Sequence, residues 1–158
     1  MPPIVTSRPL TRGERDIARS VFGGTIAIDR VRIHRRKWFP FHPKSAVMAP
    51  DGDIWVHPGS ALWRDDYSEA PLNLQGLFVH ELTHVWQAQS RGRWYLVLMR
   101  HPFCRYAYRW RPGWPLERYG LEQQAEIVRH VYLLRQGVRL EGVAPLAALE
   151  AALPFAAA

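Results

Sequence analysis

The chain contains a single cysteine, Cys104, among 158 residues. No disulfide can form within it, so the fold cannot depend on an oxidising compartment. No apolar run is long enough to span a bilayer; the best stretch, Trp94 to Met99, is far too short. The opening residues, MPPIVTSRPLTRGERD, lack the apolar core of a secretory leader. These absences predict a soluble protein made in the cytoplasm, with any export left to a machine that needs no cleaved leader. Internal repeats and long low-complexity segments are also missing. Acidic side chains are scarce: 14 Asp and Glu stand against 21 Lys and Arg, for a net charge of +7. Such a balance can mark a nucleic-acid binder, an anionic surface or an acidic substrate. Here the arginines are spread along the chain and interleaved with acids. Only RIHRRK, Arg32 to Lys37, forms a tight cluster, and Trp38 and Phe39 follow it. Nucleic acid is therefore not the expected partner, although that cluster keeps the reading open as an alternative, with salt-dependent binding as its signature.

What is present is an ordinary globular composition, 47% hydrophobic and 22% charged. The length fits one domain over 1–158. Residues 1–10 carry three prolines and read as a loose arm; residues 144–158 form an alanine-rich tail with room for one short helix. Thr11 to Phe22 reads as a helix, with Thr11 as N-cap, Glu14 completing a capping box and Gly23-Gly24 ending it. Arg30 to Lys37 alternates, with Val31 and Ile33 on one side and Arg32 and His34 on the other, as a half-buried strand does. Lys44–Ala49 and Asp53–His57 flank the turn tetrad Pro50-Asp51-Gly52-Asp53, which predicts a hairpin. A long amphipathic helix is expected from Pro71 or Asn73 to Ser90, with Gly92 just beyond it. Arg93 to Gly120 is rich in aromatics, arginine and proline and is expected to be irregular apart from a short helix near Trp94–Met99. A second long helix is expected from Pro115 or Leu121 to Gln136, with Gly137 past its end. The order predicts an α+β domain, a small, mainly antiparallel sheet packed on two long helices.

Chemistry concentrates on those two helices. His80-Glu81-Leu82-Thr83-His84 sits inside the first. Residues four apart share a helix face, so His80 and His84 can present two ring nitrogens to one ion at about 2.0–2.1 Å each. Glu81 lies about 100° around the helix from His80, placed to reach a water on the ion without ligating it. A catalytic zinc keeps three protein ligands and one open position. In Leu121-Glu122-Gln123-Gln124-Ala125-Glu126, the glutamates are again four apart. Glu122 is a candidate third ligand, and Glu126 a candidate acceptor for the free N–H of a ligand histidine.

This pattern, HExxH followed on a later helix by ExxxE, resembles the gluzincin zinc peptidases. The resemblance implies a zincin-like fold, Zn2+ held by His80, His84 and Glu122, Glu81 as general base, Glu126 behind a ligand histidine, and a peptide or protein substrate. Familiar members often carry Asp at the last position, where this chain has Glu126. The metzincin pattern is not met, because Gln87 and Ser90 stand where glycine and histidine are required. A wider likeness, through RPLTRGERDIAR, RVRIHRRKWFPF, APDGDIWVHP, HELTHVWQ and WPLERYGLEQQAEIVRH, is to small bacterial proteins described as Vgr-related. That name links them to the spike of type VI secretion and makes spike components candidate partners.

Competing readings stand beside these. A zinc site can be purely structural, in a non-catalytic module of a type VI assembly; Glu81, which such a site does not need, favours hydrolysis. Tyr119, three residues before Glu122, is a candidate donor to a developing oxyanion or a packing residue. Asp53–His57 is a candidate edge strand for an extended peptide. His34, His42, His57, His101 and His130 read as surface or packing histidines, with His130 four residues beyond Glu126. Trp86, Trp94, Trp110 and Trp114 read as core or loop anchors, and Cys104 has no visible partner as a nucleophile.

Overall fold

A computed structural model describes residues 6–99 and 105–155; His101 and Cys104 lie outside the described residues. The first strand, β1, is Ser7–Pro9, followed by helix α1, Arg12–Phe22. The segment expected as a loose arm thus supplies a strand. The reason lies in Glu14, which is fully buried. It receives two bonds of 2.8 Å from the Arg8 guanidinium and one of 2.9 Å each from the Thr11 and Tyr67 amides. The capping box is present as expected, but its glutamate also anchors β1 and a turn from the far side of the domain.

Strands β2 (Arg32–His34), β3 (Val47–Met48) and β4 (Ile54–Val56) complete a sheet in the order β1-β2-β4-β3. The expected hairpin forms, with Val47 opposite Val56 and Met48 opposite Trp55. β1 and β2 are also antiparallel, but β2 and β4 run parallel, with Ile33 opposite Ile54. The sheet is therefore mixed. The hairpin tucks its second strand inward because Ile54 and Val56 are the side chains the core takes, 1% and 0% exposed, whereas β3 is only half-buried. This corrects a second expectation. β4 has partners on both sides, so its backbone groups are spent and it cannot add an extended peptide; the sheet's edges are β1 and β3.

Helix α2, Leu72–Arg91, and helix α4, Leu121–Arg135, lie side by side, joined by the bonds of His80 to Glu122 and Glu126, and each buries other side chains in the core, Leu82 and Val85 from α2 and Val128 and Val131 from α4. A short helix α3, Tyr95–Met99, and a 3-10 turn at Leu116–Arg118 lie between them. Gly76 sets how closely the two long helices meet. A Cβ there would sit 3.2 Å from Leu133 and 3.3 Å from Arg129, so the small residue allows the approach. At the same end, the Tyr132 hydroxyl donates to the Gln75 side chain. Within the alanine-rich segment, helix α5 spans Leu146–Ala152, and the described part up to Phe155 is packed in place. Leu149 is fully buried, and Phe155 lies 4.9 Å from Phe22 and 5.0 Å from Trp86, ring centre to ring centre. Among the described residues, no helix is long and apolar enough to cross a membrane.

Candidate metal centre

The face of α2 turned towards α4 carries His80, Thr83, His84 and Gln87, all buried. Four polar residues on a buried helix face must be satisfied by one another or by the facing helix. Glu122, in the first turn of α4, meets both histidines. Its Oε2 lies 3.1 Å from the Nε2 of His80 and 3.1 Å from the Nε2 of His84; the two ring nitrogens are 3.2 Å apart. The three residues are 3–4% exposed, so little water reaches them.

These distances test whether a metal fits. Three bonds of about 2.0–2.1 Å to a tetrahedral ion place neighbouring ligand atoms about 3.3 Å apart. The observed triangle has nearly that edge. The remaining ring nitrogens settle which atoms carry lone pairs. His80 Nδ1 faces Glu126 Oε1 at 2.8 Å, and His84 Nδ1 faces Gln87 Oε1 at 2.8 Å. Both acceptors require an N–H, which leaves the Nε2 lone pairs of the neutral rings pointing at one another and at a carboxylate. Three lone-pair donors converging in a buried space repel unless a cation lies among them. His80 shows the same demand. Burial alone would depress its pKa, yet its bonds to Glu122 and Glu126 outweigh that and push it up to about 9. The group His80, His84 and Glu122 therefore suits a metal ion.

The supports behind the two histidines differ. Glu126 backs His80 and is itself approached by Arg129 at 3.4 Å and by His130 Nε2 at 3.7 Å. Burial would raise the Glu126 pKa, but its bond to His80 and the charges around it hold it below the ordinary value. The other nitrogen of His130 accepts from the Tyr108 hydroxyl at 2.6 Å. Burial lowers the His130 pKa and raises that of Tyr108 to about 12, which suits a neutral acceptor and a protonated donor. Behind His84, the Gln87 amide nitrogen donates to Leu121 O at 3.1 Å and to Gln124 Oε1 at 3.0 Å; Gln124 in turn donates to Tyr119 O at 2.8 Å. Gln87 is the residue that reading the chain did not find. Its signal was available, since it stands one turn after His84 on the same face.

Glu81 is buried beside His80, 5% exposed, and its charge adds to the basicity of that ring. Of the two readings of Tyr119, the structure supports packing over the oxyanion donor. Its hydroxyl accepts from the Arg111 amide at 3.0 Å and donates to the Arg111 carbonyl at 3.3 Å. Its ring is packed among Tyr108, Trp110 and Trp114. The phenol is thereby committed to holding the segment before α4 and is not offered to the histidine–glutamate cluster. Among the described residues, the tyrosine that does reach the cluster is Tyr106, stacked on His80 with centroids 5.8 Å apart and 52% exposed.

The other described histidines have structural partners. His34 pairs with Asp53 at 2.8 Å and stacks on Trp55. His42 accepts from the Trp38 amide and donates to Ala46 O. His57 accepts from the Gly59 amide at 2.8 Å. Within the basic cluster, Arg32 donates to the Ser7 hydroxyl and Arg35 lies over Trp63, so both serve the fold.

No family model matches the chain. Over 140 residues it is 39% identical to the type VI secretion system spike protein VgrG2b of Pseudomonas aeruginosa. The aligned part is 84% of this chain but 13% of the spike protein, so the chain spans only a small part of that relative's length. A solved structure, the effector domain of Pseudomonas aeruginosa VgrG2b, superposes with a TM-score of 0.75 at 34% identity. That match covers 96% of this chain and 87% of the domain. With nearly the whole of both chains aligned at this identity, the chain belongs to the family of the VgrG2b effector domain.

Proposed function

We propose that the chain is a zinc-dependent peptidase of the gluzincin kind, with His80, His84 and Glu122 as ligands and Glu81 as general base. The observation that carries this reading is the triangle of two Nε2 atoms and one Oε2 with edges of 3.1–3.2 Å. Bound there, zinc would supply Lewis acidity towards a carbonyl and lower the pKa of water towards about 7. The protein's part is orientation and proton movement. Glu126 and Gln87 hold the two rings in the tautomer that leaves Nε2 free. The Glu81 carboxylate takes the proton of the attacking water and delivers it to the leaving amine nitrogen. The α+β architecture, with donors on two packed helices, fits a minimal zincin-like domain. Kinship with a spike protein's effector domain supports a role in type VI secretion, with export that needs no leader and spike components as partners.

Metal analysis of protein purified without a histidine tag tests the ligands. About one zinc per chain is expected, with loss in His84→Ala. Glu81→Gln keeps size but removes the basic oxygen. It should retain zinc and melting temperature while cutting turnover of a mixed peptide library by roughly 10²–10⁴-fold. The same cleavage pattern in wild type and Glu81→Gln would remove Glu81 as the base. A second reading, a non-catalytic module stabilised by zinc, draws on the span of the cluster, whose ligands His84 and Glu122 lie 38 positions apart and tie α2 to α4. Zinc-loaded wild type that cleaves nothing in the library would favour it.

A further inference from the structure

A cleft of about 440 Å³ opens beside the cluster, and Glu122 is one of its walls. Among the described residues it is also lined by Arg91, Tyr95, Met99, Arg105 and Glu117. Its size is that of a small-ligand or side-chain pocket. A smaller hollow of about 180 Å³ shares Arg91, Tyr95 and Glu117 with it and continues it along α2. Two features give the cleft a sign. Arg91 and Arg105 are both exposed, and neither forms an ion pair among the described residues. The first turn of α4 forms another wall, so the positive end of a 15-residue helix lies there. Against these, among the described lining residues, stands the Glu117 carboxylate, while Glu122 is bonded to the two histidines. Tyr95 and Met99 supply apolar surface, and Arg91 lies over the Tyr95 ring at 5.6 Å, which positions its guanidinium at the cleft.

We infer that this cleft is a substrate subsite for a carboxylate, with Arg91 and Arg105 as its specificity-determining residues. The occupant is a peptide carrying either an acidic side chain or a free C-terminal carboxylate close to the scissile bond. Guanidinium groups recognise either source through charge-assisted hydrogen bonds, and Tyr95 and Met99 pack the carbon stem. This inference rests on the peptidase reading for what happens to the occupant, but binding itself can be measured without turnover.

The probes are three dye-labelled pentapeptides, Ala-Leu-Xaa-Leu-Ala: Xaa as Glu with an amidated end, Xaa as Gln with an amidated end, and Xaa as Gln with a free end. Fluorescence anisotropy on zinc-loaded Glu81→Gln protein should show the Glu or the free-end probe binding roughly tenfold tighter than the neutral one at low salt. Whichever of the two gains identifies the source of the carboxylate. Adding Arg91→Glu and Arg105→Glu together should abolish that preference, and both positions are exposed enough for the fold to tolerate them. Equal binding of all three probes, or a preference that survives the double change, would overturn the subsite. Cleavage of the same peptides by wild type is scored separately. Charge preference without cleavage keeps the subsite and removes the peptidase reading, whereas cleavage without charge preference does the reverse.

Discussion

The two histidines of the cluster are mirror images in their bonds to Glu122 and unlike in everything behind them. His80 rests on a carboxylate, Glu126, which draws in Arg129, His130 and, through His130, Tyr108. His84 rests on a neutral amide, Gln87, whose other end is bonded to the start of α4. A carboxylate behind an imidazole makes the ring a stronger donor, while an amide only fixes its orientation. Both supports cross between α2 and α4, Glu126 by its bond to His80 alone and Gln87 by further bonds to Leu121 and Gln124, so His84 is oriented by a residue that is itself tied twice to the start of α4. One support tunes the affinity of the site, and the other builds its geometry.

Three substitutions separate these roles. Glu126→Gln keeps an acceptor for His80 Nδ1 but removes its charge. Zinc affinity, measured by competition with a chromophoric chelator, should fall by roughly 10–100-fold with the metal-free melting temperature nearly unchanged. Gln87→Leu should reverse the emphasis. It strands the His84 Nδ1–H and the Gln124 side-chain oxygen in a mostly buried space, and the metal-free protein should lose about 1–3 kcal/mol in urea unfolding. A larger affinity loss in Gln87→Leu than in Glu126→Gln would show that the comparison has been drawn the wrong way round. Tyr108→Phe is the smallest of the three. It removes the 2.6 Å bond to His130, which reaches His80 only through Glu126. Stability should fall by about 0.5–1.5 kcal/mol and zinc affinity by less than in Glu126→Gln. An affinity loss as large as that of Glu126→Gln would mean that the chain from Tyr108 acts on the metal as one unit.

Legibility followed the range of the interactions. The Thr11–Glu14 capping box, the β3–β4 hairpin and the bounds of α2 and α4 depend on residues within a few positions of one another, and each can be read from the chain. The pairing of His80 with His84, and of Glu122 with Glu126, is also local, because a helix places residues four apart on one face. Tyr119 was left between two readings for the opposite reason. Its spacing from Glu122 allowed chemistry or packing, and the Arg111 backbone and three aromatic rings that decide for packing are announced by no local pattern.

By itself the sequence determined that two helices would each carry two chemically active side chains four apart on one face, His80 with His84 and Glu122 with Glu126, since helical periodicity and caps are short-range physics. Only the tertiary structure decided that Glu122 meets both histidines, that Gln87 rather than a second carboxylate supports His84, and that β4 lies inside the sheet while β1 takes an edge. Those outcomes depend on which apolar faces pack together, and on the close approach that Gly76 permits between α2 and α4. Packing energy is summed over side chains distant in the chain, and no window of sequence contains that sum.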